Sequence, residues 1–344
     1  MQKLNVLSIF VETSCNRYER DECVTCHVFE PLAPYDTDDL HLMPEQAFAM
    51  ADKIRQVNVL AQLAQDEINL TGGEASMNPH IVEVFKAFQG ISSNVCLHTN
   101  LDFNSLESKR WKRLEEIVNL KGRIDITLYP LVWETRQKPV LSELIRIQDR
   151  LLVNVVYENL SSLLEQIELL KTFFADQGER CIHVVKMFEG YLDRLSAILK
   201  ENLQCREETF LKRIGETQAF APSEDFILGV NLLPAFAIGE DGTRAMNSMP
   251  FPKDPYLLKC PAAKGEIEIM TVRQNGVMTP CCDVGNLKCA PTFGNLLTDS
   301  PETLQKRFEE ARLKLASGTE KNRINLQSNK VGKSVEEGIP PYCI

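Results

Sequence analysis

Leu4-Asn5-Val6-Leu7-Ser8-Ile9-Phe10-Val11, running on through Glu12-Thr13-Ser14 to Cys15, is the stretch on which the reading of this chain turns. It is too short for a secretory signal and passes into Glu12 without a small-residue cleavage site, so it reads as a first β-strand ending at a cysteine. Five more short β-rich runs follow: Glu67 to Leu70, Asn94 to His98, Arg123 to Leu128, Leu151 to Val156 and Cys181 to Met187. Helical patterns succeed the six strands in turn, over Pro44 to Leu63, Pro79 to Phe88, Leu106 to Val118, Leu141 to Gln148, Leu160 to Phe174 and Tyr191 to Leu203. This alternation predicts an α/β fold of six βα units around a parallel sheet, a partial TIM-like barrel over residues 1–220.

In such a sheet the working residues sit where strands end, because the following loops converge on one face. Cys15, Thr71-Gly72-Gly73-Glu74, Thr99-Asn100, Tyr129, Asn154, Tyr157, Lys186 and Glu189 fall in those places. Tyr129, Tyr157, Lys186 and Glu189 are the substrate-facing candidates, although each taken singly reads first as an ordinary strand-end residue. Prolines and polar residues break the pattern over 221–255, which reads as a linker. Beyond it, over 256–344, Glu266 to Val272 and Val277 to Cys281 flank Arg273-Gln274-Asn275-Gly276, an Asn-Gly turn suited to a β-hairpin. A helix is expected from Pro301 to Leu315, and a polar loop from Ser317 to Glu337.

A formal net charge of −10 argues against sequence-independent nucleic-acid binding, which needs a basic surface. No apolar run approaches the roughly 20 residues of a membrane span, so a soluble, cytoplasmic protein is expected. Eleven cysteines without an export signal point to a reducing compartment and to metal or cluster ligation. Cys96, Cys181 and Cys205 stand alone and read as small core hydrophobes. Cys15, Cys23 and Cys26 instead form a C-x7-C-x2-C group directly after the first strand. Three thiolates suit an iron–sulfur cluster with one open iron, whereas a structural zinc would need a fourth ligand such as His27.

This loop resembles that of the radical S-adenosylmethionine (SAM) superfamily, whose usual spacing is C-x3-C-x2-C. Four extra residues separate the first two cysteines here, and Thr25 stands where an aromatic often precedes the last. Gly72-Gly73-Glu74 is similar to the superfamily's Gly-Gly-Glu motif at the second strand end, where glycines allow close backbone approach and a carboxylate pairs with the SAM amino group. Thr99-Asn100 matches the Thr-Asn pair at the third strand end. Asn154 is a candidate ribose contact or a core-edge asparagine.

The C-terminal cysteines run C-x15-G-x4-C from Cys260 through Gly276 to Cys281. That pattern, with Gly294-Asn295-Leu296 and the ending Gly338-Ile339-Pro340-Pro341-Tyr342-Cys343, resembles the SPASM/Twitch auxiliary-cluster domain. The resemblance implies one auxiliary [4Fe-4S] cluster on Cys260, Cys281, Cys343 and a fourth ligand, Cys289 or alternatively Cys282, or a position left open for substrate. A zinc knuckle is the structural alternative.

The resemblance further implies a [4Fe-4S] cluster that binds SAM, and an electron supplied by a flavodoxin- or ferredoxin-like donor. SAM is then cleaved to a 5′-deoxyadenosyl radical that abstracts hydrogen from substrate, with net oxidation or bond formation favoured by the auxiliary cluster. A peptide or peptide-like substrate is expected, although there is no room before the first strand for a leader-binding domain. The alternative is a small polar metabolite. A different class, an iron–sulfur electron carrier or a zinc-stapled binding protein, would have no need of Gly72-Gly73-Glu74 with Asn100.

Overall fold

The computed structural model describes residues 6–15, 41–103, 105–147, 150–157, 160–178, 181, 185–186, 189–190, 193, 219–222, 227–234, 236–238, 244–246, 269–279, 292–310 and 313. In chain order the elements are β1 (Val6–Glu12), α1 (Pro44–Gln56), α2 (Asn58–Asp66), β2 (Glu67–Gly72), α3 (Ile81–Gln89), β3 (Val95–Thr99), α4 (Lys109–Asn119), β4 (Arg123–Leu128), α5 (Lys138–Ile147), β5 (Arg150–Tyr157) and α6 (Leu160–Asp176). Then come β6 (Ala219–Pro222), β7 (Ile227–Pro234), β8 (Phe236–Ile238), β9 (Arg244–Met246), β10 (Ile269–Val272), β11 (Val277–Thr279), β12 (Gly294–Asn295) and α7 (301–310). The chain falls into two compact units, 1–97 with 252–344, and 98–251.

In the first unit the strand order is β12-β11-β10-β1-β2-β3. β1 lies parallel to β2, and β2 parallel to β3. The strands alternate by face, as the two-residue period of a strand requires. Leu7, Ile9, Ile68, Leu70 and Val272 are buried apolar, while Ser8 sits in register between Asn69 and Thr271 on the opposite face. α1 buries Ala47, Met50, Ala51 and Ile54, the spacing of one helical stripe, and packs with α2 and α3; α2 also packs on β1 and β2.

Three details depart from the sequence reading. The helix expected from Pro44 to Leu63 is two, because Val57 is extended at φ −108°, ψ 107°, within Val57-Asn58-Val59, three poor helix formers in succession. The 273–276 hairpin is closed by a bond from the Gly276 N–H to the Arg273 carbonyl (2.8 Å), with Gly276 at φ +86° and Asn275 not at positive φ. That is a type I turn followed by a left-handed glycine rather than a two-residue Asn-Gly turn. The hairpin also does not stand apart from the first strand: β10 lies parallel to β1, pairing Val6 with Ile269 and Ile9 with Val272, and so covers an edge that would otherwise be open.

In the second unit the order is β4-β5-β7-β6, with β4, β5 and β7 parallel and β6 antiparallel; β8 and β9 form a separate pair. α6 packs on β5 and buries Leu163, Ile167, Leu170, Phe173 and Phe174; Phe173 meets Trp133 edge-on at 5.2 Å. Of the expected sixth strand, Cys181 to Met187, no described residue is in a strand. Cys181 lies in a tight turn, its N–H on the Gly178 carbonyl (3.1 Å), and 185–186 are helical. The strand beside β5 is β7, from the stretch read as linker, paired from Arg150–Ile227 to Tyr157–Pro234. Local β-propensity at Val185 yields to a longer partner, because strand preference is decided by what the strand packs against.

Candidate functional site

The site in the first unit grows from the end of β1. Its last residue, Glu12, is fully buried and accepts from the Ser14 N–H (2.8 Å) and the Ser14 hydroxyl (2.7 Å) through Oε1. Oε2 pairs with Nδ1 of His41, 29 residues further along the chain. Glu12 and His41 also form an isolated antiparallel bridge, and the Leu42 N–H donates to the Val11 carbonyl (3.0 Å). Asn78, fully buried, donates from Nδ2 to both Val11 O (2.7 Å) and Leu42 O (3.0 Å). Cys15 leaves this knot half-buried.

The Gly-Gly-Glu turn after β2 is stitched to the same knot. The Gly73 N–H donates to Glu12 O (2.8 Å) and the Glu74 N–H to Ser14 O (2.9 Å). Gly72 has φ +136°, and a Cβ there would sit 2.0 Å from Glu12 O; on Gly73 it would sit 2.3 Å from Ser14 O. The glycines are therefore required by the approach of the cysteine-bearing backbone, where the sequence pointed to the approach of a ligand. Glu74 is 1% exposed, and its Oε1 accepts from the N–H and hydroxyl of Ser76, capping the short 3₁₀ turn over Ala75–Met77. The cap fixes the orientation of that carboxylate.

In the second unit the Thr-Asn pair ends β3 in a strained turn. Asn100 Oδ1 accepts from the Asp102 N–H (2.8 Å), Thr99 Oγ1 accepts from the Leu101 N–H (3.2 Å), and Leu101 is held at φ +49°. A π-helix at Trp133–Gln137 follows β4 and carries Gln137 inward. Its Nε2 donates to Asn100 O (2.7 Å) and Thr127 O (2.8 Å), and its Oε1 accepts from the Tyr129 N–H (2.9 Å). Arg136 on the same turn pairs with buried Asp102 (2.5 Å). Asn154 on β5 donates to Asp125 on β4, whose other oxygen lies 3.4 Å from His98 Nε2.

The structure thus brings Cys15 and Gly72–Glu74 together in one unit, and Asn100, Tyr129 and Gln137 together in the other. Tyr157 ends β5, opposite Pro234. Lys186 and Glu189 are exposed and lie in helical turns, so they do not end a strand. Cys23, Cys26, Cys260, Cys281, Cys282, Cys289 and Cys343 lie outside the described residues. Sequence reasoning missed Glu12, His41 and Gln137. Glu12 carried a faint signal, an acidic residue on the β1 face that also holds Ser8 and Phe10, but nothing local marks His41 or Gln137.

No protein-family model and no curated protein matches the sequence. Solved structures do. A crystal structure of Streptococcus suis SuiB bound to S-adenosylmethionine superposes with a TM-score of 0.50 at 14% identity, over 88% of this chain and 67% of that one. SuiB bound to the precursor peptide SuiA matches at 0.49 and 14% identity, over 87% and 64%, and native anSMEcpe with bound AdoMet at 0.47 and 9%, over 91% and 83%. The likeness to SAM-bound SuiB is one of fold, and this chain spans about two thirds of that protein's length.

Among the described residues, Cys15 offers one thiol donor and Glu74 one carboxylate acceptor. A half-buried thiol stands beside a glycine turn packed to the limit of backbone contact, with a capped carboxylate immediately after it.

Proposed function

We propose that the chain is a radical SAM enzyme. The observation that carries this reading is the pair of main-chain bonds, Gly73 N–H to Glu12 O and Glu74 N–H to Ser14 O, that fastens a Gly-Gly-Glu turn beside Cys15. The fold shared with SAM-bound SuiB supports it.

In this reading Cys15, Cys23 and Cys26 hold a [4Fe-4S] cluster with one open iron, and Gly72–Glu74 receives the SAM amino group. When bound, the cluster and SAM together supply a 5′-deoxyadenosyl radical that abstracts hydrogen from an unactivated carbon. The chain's own part is orientation. The Ser76 cap holds the Glu74 carboxylate still, and the Gln137 bridge holds the turn that presents Asn100. Asn154, tied to Asp125, is proposed to contact SAM. Tyr129 and Tyr157, at strand ends, are the substrate-facing candidates that fit best.

Cys260, Cys281, Cys289 and Cys343 are proposed to carry one auxiliary [4Fe-4S] cluster in a Twitch-type arrangement, with Cys282 the alternative to Cys289. The substrate is proposed to be a peptide or peptide-like molecule, with a small polar metabolite as the alternative, and the donor a flavodoxin or ferredoxin.

The test is anaerobic reconstitution with iron and sulfide, then dithionite and SAM, with 5′-deoxyadenosine measured by mass spectrometry. Wild type is expected to produce it and Cys23→Ala not to. An intact, reducible cluster that releases none in wild type moves the electron-carrier reading ahead.

A further inference from the structure

We infer that Glu12 is a positioning residue: its buried carboxylate is a latch that holds Cys15 and the Gly72–Glu74 turn in one fixed geometry, with His41 as the closing half. The first observation is its burial. A fully buried carboxylate at a strand end costs several kcal/mol unless it is paired and hydrogen-bonded, and both oxygens of Glu12 are partnered.

The second is what it joins. Oε1 takes both the N–H and the hydroxyl of Ser14, the residue before Cys15. Oε2 takes His41. The Glu12 carbonyl takes Gly73, and the Ser14 carbonyl takes Glu74. One residue therefore touches Ser14 beside Cys15, His41 and the glycine turn. If Oε2 loses His41 the carboxylate is free to turn, which loosens the two Ser14 bonds on Oε1 and with them the acceptor of the Glu74 N–H. Cys15 and Glu74 then lose their common reference point.

The third is that the two halves of the latch differ in how they can be altered. Glu12 lies in the core, whereas the His41 side chain is 35% exposed. His41→Ala thus removes one partner without opening the core. His41→Asn supplies an amide N–H where Nδ1 stood and is expected to rescue. The latch itself is independent of any bound group; its consequence for a cluster rests on the function proposed above.

Two measurements on the full chain separate these levels. Amide hydrogen exchange in the apo-protein reads the latch. In His41→Ala, and in Glu12→Gln as a second variant, exchange at Ser14, Gly73 and Glu74 should speed up roughly ten- to a hundredfold, the change expected for losing one charge-assisted hydrogen bond. Exchange in α3 should stay as in wild type, and His41→Asn should restore most of the protection. Iron content and the electron paramagnetic resonance spectrum, with and without SAM, read the consequence after reconstitution. His41→Ala should bind less iron or lose the SAM-induced spectral change, and His41→Asn should recover it.

Unchanged exchange in both variants overturns the latch, whatever the iron does. Faster exchange with wild-type iron content and spectra shows the latch to be structural only and overturns its positioning role. Faster exchange in the variants, with wild type itself taking up no iron, leaves the latch standing and sinks the function proposed above.

Discussion

Gly73→Ala is the substitution on which the site's architecture is most exposed to test. The new methyl would lie 2.3 Å from the Ser14 carbonyl oxygen and 2.8 Å from that of Thr13, both backbone atoms that cannot swing aside as a side chain would. Moving two packed backbones apart costs about 1–3 kcal/mol. The same movement stretches the bonds from Gly73 N–H to Glu12 O and from Glu74 N–H to Ser14 O, each contributing about 0.5–1.5 kcal/mol. Together the loss is roughly 2–6 kcal/mol.

Two control glycines separate this contact effect from backbone strain. Gly178 has φ +79° with nothing within 4 Å of a new Cβ, so Gly178→Ala meets only the left-handed penalty of about 1–2 kcal/mol. Gly90 has an ordinary φ, and its Cβ would meet Ala87 O at 3.2 Å and the end of the Arg55 side chain at 3.3 Å, a mild crowding, so Gly90→Ala should cost far less than Gly73→Ala. Urea unfolding followed by circular dichroism should rank Gly73→Ala as clearly the most destabilised of the three. A Gly73→Ala protein as stable as Gly178→Ala refutes the packing argument, and with it the reason given for a glycine at that position.

Gln137→Leu removes a side chain that satisfies three main-chain groups, on Asn100, Thr127 and Tyr129, and should lower stability by about 2–5 kcal/mol in the same unfolding assay. Thr271→Val should do the opposite: the Thr271 hydroxyl is buried without a hydrogen-bond partner among the described residues, so an isosteric methyl should raise the melting temperature. The Glu302 carboxyl is held below its usual range first by its own backbone N–H at the start of α7 and then by the Ser300 hydroxyl. Its depressed pKa contributes stability above the unfolded-state value, which is lost as pH falls through the folded value. In Ser300→Ala, NMR titration should show the Glu302 midpoint moving up part of the way, and loss of the Ser300 to Thr303 cap (3.2 Å) should cost about 1 kcal/mol.

Much of the fold was legible because its signals are local. Arg123 to Leu128 is a strand at the residues the alternation predicted, and β1, β2, β3 and β5 lie within a residue or two of their expected bounds. Ser108 illustrates the limit of such reading: the expected helix began at Leu106, but the Ser108 hydroxyl accepts from the Trp111 N–H (3.1 Å) and starts α4 at Lys109. The motif Gly72-Gly73-Glu74 was visible as well, though not its physical reason, since a glycine's neighbour across space leaves no trace in its neighbours along the chain.

By itself, then, the amino-acid order determined the alternation of strands and helices, the turn at Asn275-Gly276 and the juxtaposition of a cysteine with a first strand end. Period-two and helical patterns and turn chemistry act over a few residues, so they can be read in place. Only the tertiary structure decided that β7 rather than 181–187 extends the sheet beyond β5, that β10 covers β1, and that Glu12 meets His41. Each of these is a choice among competing partners far apart in the chain, settled by register and burial against a particular neighbour, and no local pattern carries that information.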